Sequence, residues 1–221
     1  MYLCIFAALL STFVLNNKAG NTEYLEDQCK FAVVDADQTE ESKALISYLS
    51  EKHEKVTISD EELEQYGKTV GNELRKIIDT HINKQDEILV VGLGNLYVTP
   101  DSLGPLVVKK IDVTSHLNDE SLKYEVSAII PGVMGKTGLE TSEIVKGMVK
   151  EFYFDLVIVV DALACSVPSR MCHSIQLSTA GINPGSGVGN NRKEISKKYL
   201  GIPVIAIGVP TVCDVDVFTD E

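Results

Sequence analysis

The sequence predicts an α/β fold, a three-layer sandwich with a mostly parallel sheet, on three observations. Nearly continuous apolar runs at 88–92, 126–130, 156–160 and 203–208 suit strands buried on both faces, since a half-exposed strand would alternate apolar and polar residues. Helical stretches at 102–111, 138–151 and 192–200 fall between those runs, and such alternation gives parallel strands with helices on the sheet faces. The length, 221 residues, suits one such domain and not two.

Taken in order, residues 1–30 read as a divergent leader, apolar at its start, and residues 31–221 as a single α/β domain. The run from Tyr2 to Leu15 is about fourteen residues long, shorter than the roughly twenty that span a bilayer. A secretory signal carries Lys or Arg before its apolar stretch, whereas the first charge here is Lys18, after it. The run is therefore expected to be a core element or an ill-chosen translation start, with export the alternative. Residues 31–34 and 55–59 are short enough for edge strands. In the stretch 60–78, Leu63, Tyr66, Val70, Leu74 and Ile77 recur at spacings of three and four, one stripe of an amphipathic helix that Ser59 or Asp60 would cap.

Composition narrows the function classes. Lys and Arg total 20 against 32 Asp and Glu, a net charge of −12, which disfavours a grip on nucleic-acid phosphates and favours a basic or uncharged partner. The five cysteines, Cys4, Cys29, Cys165, Cys172 and Cys213, are odd in number and widely spread, without the pairing of a disulfide framework or zinc ribbon. Cys165, Cys172 and His173 lack both the usual ligand spacing and a fourth ligand, so no metal or other cofactor is expected.

In an open α/β sheet, ligands collect beyond the carboxyl ends of the strands, where loops diverge. That rule selects the loops at 93–101, 131–140, 161–166 and 209–214, and with them Asp101 and Asp161. Two carboxylates in one crevice do not both ionise easily, so one acid and one base coexist near neutral pH, which suits water-mediated amide hydrolysis. The competing reading makes Thr99-Pro100-Asp101 a helix start, with an N-cap Thr, a Pro in the first turn and an Asp on the helix dipole, and has Asp161 cap a turn. Gly132-Val133-Met134-Gly135-Lys136-Thr137 has two residues between its glycines where a phosphate loop has four, so a nucleotide site is rejected. The Gly-rich stretch 184–190 offers free amides to an anion or a peptide carbonyl, or is a plain turn. Ser166 and Ser186 sit in no nucleophile elbow, His116 and His173 read as surface residues, and the cysteines have no electropositive setting.

Five segments in order, at 92–105 with Thr99-Pro100-Asp101, at 127–142 with Pro131-Gly132, at 160–164 with Asp161-Ala162-Leu163-Ala164, at 184–194, and at 201–211, closely resemble the germination protease family of spore-forming bacteria. The close match runs from 88 to 211, with a weaker one back to 31. The resemblance implies a peptidase domain at 31–221 and an endopeptidase that starts the degradation of small acid-soluble spore proteins during germination. It also implies a homotetramer made from an N-terminally processed zymogen, cytoplasmic in the spore core, without direct contact to nucleic acid or membrane. It makes Asp101 and Asp161 the catalytic pair. Asn95, Thr99 and the amides of the Gly132 and Gly187 loops are expected to support the transition state.

Departures from the family pattern are the apolar leader, Cys165, Cys172 and His173, and an end at Glu221 that reads as a truncated product or a minimal homologue. A second resemblance, of the Gly92-Leu93-Gly94-Asn95 loop and the Asp after a later strand, is to hydrogenase maturation endopeptidases, a phosphorylase/hydrolase-like fold with acidic residues and a His around nickel. It makes a metal-dependent maturation-type endopeptidase the alternative function, and a catalytically silent binding homologue the third.

Overall fold

Apolar runs at the expected places form four adjacent strands, out to one edge, of a six-stranded sheet in a computed structural model that describes residues 32–34, 60–83, 86–117, 119–165, 174–186 and 192–213. The apolar leader, the strand expected at 55–59, Ser59, Cys4, Cys29, Cys172, His173, Ser166 and Gly187 lie outside the described residues. The strands are β1 (Ala32–Val34), β2 (Glu87–Gly92), β3 (Glu125–Ile129), β4 (Leu156–Cys165), β5 (Gln176–Ser178) and β6 (Val204–Cys213). Their order is β1-β5-β6-β4-β2-β3, and every neighbouring pair is parallel except β5 with β6. The described helices are α1 (Asp60–Asp79), α2 (Leu103–Val108), α3 (Met134–Thr137), α4 (Thr141–Phe152) and α5 (Lys197–Leu200).

Alternation along the strands sorts the apolar residues onto two faces. Ile88, Val90, Leu156, Ile158, Val160, Ile205 and Ile207 pack with Leu74 and Ile78 of α1 and Leu103 and Val107 of α2. Leu89, Val91, Val157, Val159 and Val204 pack with Val145 and Val149 of α4 and Leu200 of α5. Two cores on opposite faces explain why β2 and β4 read as unbroken apolar runs. On α1 the buried row is Val70, Leu74 and Ile78, with Ile77 half-buried at its margin.

Several boundaries differ from expectation for local reasons. The stretch 138–151 divides, because α3 ends at Gly138, whose N–H donates to Met134 O, and α4 begins at Thr141. The helix expected from 192 begins only at Lys197. Ile195 first forms an antiparallel bridge with Ile182, and the Ser196 hydroxyl then accepts the Tyr199 N–H as an N-cap. β5 escapes sequence reading because it is three residues long with one buried side chain, Leu177. β4 and β6 extend well past the apolar runs, so Asp161 lies inside a strand, paired with Gly208, and not in the loop beyond it.

Candidate active site

The two aspartates meet because backbone packs on backbone at the carboxyl ends of β2 and β4. Leu93 N–H donates to Val160 O at 2.8 Å, carrying the strand pairing one step past Gly92. Against that junction lies the start of α2. A Cβ added to Gly104 would sit 2.3 Å from Leu93 O and 2.5 Å from Val160 O, so this approach requires glycine. Asp101, three residues before Gly104, is thereby brought beside Asp161, the residue after Val160.

The turn that carries Asp101 is closed by its own amides. Asn95 N–H donates to Asp101 Oδ2 at 2.8 Å and to Asp101 O at 2.9 Å. Gly94 precedes it with φ of 109°, a conformation that side chains rarely adopt, and a Cβ there would stand 2.0 Å from Asp101 O. Residues Thr99–Asp101 form one 3-10 turn with Val98 as its N-cap and no side-chain cap, so Thr99 is not the expected helix cap. From the far side the Thr211 hydroxyl donates to Pro100 O at 2.6 Å. Thr211 is available for this because β4 and β6 shift register around it: Leu163 pairs with Pro210 and Ala164 with Val212. Proline has no N–H to give the ladder, and a bulge at this point fits that deficit.

Asp161 is third in the row Val157, Val159, Asp161, which shares the α4 face of β4 by alternation. Its side chain is 6% exposed, and Oδ1 accepts the Ala162 N–H at 2.9 Å. Burial drives its carboxyl from 3.8 up to about 7; the Ala162 bond opposes this, and the negative charge of Asp101 adds to it. Asp101 is also raised by burial, against the Asn95 N–H and the positive charge of Arg192. Burial thus raises both carboxyls, and that of Asp161 far enough to titrate near neutral pH. Both face one cavity of about 310 Å³, with Arg192, Gly132, Thr141 and Ser186 also on its wall.

The sequence-derived support residues divide. Gly132 lines the cavity, and its carbonyl accepts a long bond, 3.4 Å, from the Thr141 hydroxyl. Asn95 acts on Asp101 through its main chain, while its Oδ1 accepts the Tyr97 N–H at 3.1 Å within the turn. Thr99 is exposed, and its carbonyl accepts from the Ser102 hydroxyl at 2.8 Å. Arg192, Thr141 and Thr211 are cavity residues that the sequence reading did not single out. A cation directly after a Gly-rich segment in an acidic chain was the available signal for Arg192. Among the described residues, no group of three or more His, Cys, Asp or Glu side chains gathers into a metal-binding cluster. No described helix is long and apolar enough to cross a membrane.

Comparison with known proteins agrees with the motifs. The family model described as germination protease matches residues 19–221. The chain is 53% identical over 166 residues to a germination protease of Oceanobacillus iheyensis, covering 71% of this chain and 45% of that protein. It is 47% identical over 177 residues to a germination protease of Clostridium acetobutylicum, covering 76% and 54%. A germination protease of a Geobacillus species is 48% identical over 186 residues, covering 79% and 49%. The chain thus spans about half the length of the curated relatives it matches.

Proposed function

Because the chain belongs to the germination protease family, we propose that it is an endopeptidase that begins the breakdown of small acid-soluble spore proteins at germination, using Asp101 and Asp161 to activate water. The supporting observation is that Asp101 and Asp161 line one cavity, where burial raises both carboxyls and that of Asp161 to about 7. The relatives named as germination proteases supply the reaction class. The family resemblance also carries a zymogen origin, a homotetramer, a place in the spore core and no cofactor.

In this mechanism Asp101 takes a proton from water as the oxygen adds to the scissile carbonyl carbon, and Asp161 gives its proton to the carbonyl oxygen. Asp101 then passes its proton to the amide nitrogen as the C–N bond breaks. Asp161 recovers its proton as the carbonyl re-forms, so both groups return to their starting states. Each carboxylate is needed once as donor and once as acceptor. The amide at Gly132, on the cavity wall, is the donor this reading assigns to the developing negative charge.

The test is incubation of the chain with a purified small acid-soluble spore protein, with and without chelator, and mass spectrometry of the products. Discrete cuts indifferent to chelator are expected. Cuts abolished by chelator and restored by a divalent ion would transfer the assignment to the metal-dependent endopeptidases. Absence of cuts by a cooperatively folded chain that still binds the spore protein would make it a binding homologue.

A further inference from the structure

The cavity wall carries a third charged side chain whose position suggests a part in the reaction. Residues 192–194 are three consecutive charges, Arg192, Lys193 and Glu194, in the extended stretch before α5. Lys193 pairs with Glu143 on α4, and Glu194 accepts the Ser196 hydroxyl at 3.0 Å. Arg192 alone of the three lines the cavity. The stretch is anchored by reciprocal main-chain bonds, Ile195 N–H to Ile182 O at 2.8 Å and Ile182 N–H to Ile195 O at 3.0 Å. The guanidinium is therefore carried by an element fixed independently of the turn that carries Asp101.

Among the described residues, Arg192 has no ion-pair partner within 4.0 Å, yet its charge acts on Asp101. That separation matters chemically. A direct two-point salt bridge would occupy both carboxylate oxygens, whereas a charge held further off favours the ionised form and leaves an oxygen for water. Asp101 Oδ2 is already occupied by the Asn95 N–H, and Oδ1 accepts no hydrogen bond from a described residue. The charged groups on the described wall are Asp101 from the turn before α2, Asp161 from β4 and Arg192; the segments at 131–133 and 211–212 contribute none.

Resting on the aspartate-pair reading above, we infer that Arg192 is a positioning residue: its charge, held across the cavity, fixes Asp101 as the carboxylate that takes the proton from water and leaves Asp161 as the acid. Without it, Asp101 would hold a proton to higher pH, and its division of roles with the more deeply buried Asp161 would be populated less.

Two readouts test this. The first is the pH profile of kcat and KM for spore-protein cleavage by the full chain as wild type, Arg192→Lys, Arg192→Gln and Arg192→Met, each checked for a cooperative thermal transition. The neutral variants are expected to move the acid limb of kcat upward by about one pH unit, which is about a tenfold loss on that limb, and Arg192→Lys to restore it. A raised KM with an unmoved acid limb would overturn the inference and make Arg192 a substrate anchor. The second readout needs no activity: carboxyl NMR titration of Asp101 in Asp161→Asn, with and without Arg192→Gln. Titration at higher pH in the double variant supports the coupling, and an unchanged titration refutes it. Should Asp101→Asn retain full cleavage, the aspartate mechanism fails in that assay, and the inferred role of Arg192 fails with it. The titration would then report only whether the electrostatic coupling exists.

Discussion

Replacing Asp161 by Asn is expected to abolish cleavage while stabilising the folded chain above neutral pH. Asn keeps the shape and an oxygen for the Ala162 N–H at 2.9 Å, but has no charge to bury. The wild-type carboxyl rises from 3.8 to about 7 on folding because the side chain is 6% exposed. The folded state therefore holds one more proton than the unfolded state between those values. Stability from this group is fully present below 3.8 and is lost as pH rises toward about 7, after which the loss levels off. About three pH units at roughly 1.4 kcal/mol each give an upper figure of about 4 kcal/mol.

Urea unfolding of wild type and variant across pH reads this contribution together with its coupling to Asp101, because shifts at Asp79 and Glu87 are common to both proteins and cancel. The two curves should converge below about pH 4 and separate in favour of the variant above about pH 7. Parallel curves at all pH values would refute the claim that Asp161 is buried at the cost of its charge. A variant less stable than wild type at high pH would show that ionised Asp161 is stabilised by a partner.

Other expectations rest on single contacts. Gly104→Ala places a Cβ 2.5 Å or less from the Leu93 and Val160 backbone, so it should cost at least about 3 kcal/mol in urea unfolding or prevent folding. Thr211→Val removes the 2.6 Å bond to Pro100 O; about 1 kcal/mol of stability should be lost, with a fall in kcat because the Asp101 turn is less well held. Tyr124→Phe deletes the hydroxyl bonded to Asp79, leaving Lys123 as the remaining side-chain donor, and should cost about 1–2 kcal/mol by thermal unfolding at neutral pH.

Where the sequence was legible, it was because one physical cause governed many residues. β2 and the first halves of β4 and β6 announce themselves because burial on two faces demands an apolar side chain at nearly every step. The second half of β4 is hidden because it begins with Asp161, a polar residue that ends the apolar run although the strand pairing continues through it to Cys165. β5 is hidden because its pairing to β6 comes from chain neighbours far away in sequence, not from a pattern within Gln176–Ser178.

The pair Asp101 and Asp161 was reachable from the rule that strand ends gather ligands, together with the motif resemblance. Arg192 was not, because its relevance depends on Lys193 and Glu194 being engaged elsewhere, which only the packing of α4 and α5 reveals. Thr99 shows the opposite case. Thr-Pro-Asp is a good helix-start signal, but here the turn is closed by Asp101 accepting the Asn95 N–H, so the local preference yields to the geometry of the carboxylate.

The central claim is that Asp101 and Asp161 act as one unit on water, and kcat/KM for spore-protein cleavage by wild type, Asp101→Asn, Asp161→Asn and the double variant tests it most directly. If the two share one proton cycle, each single change should lose about a thousandfold or more and the double change little beyond that, as groups acting together are not additive. Single variants within about tenfold of wild type, or losses that multiply in the double variant, would contradict it.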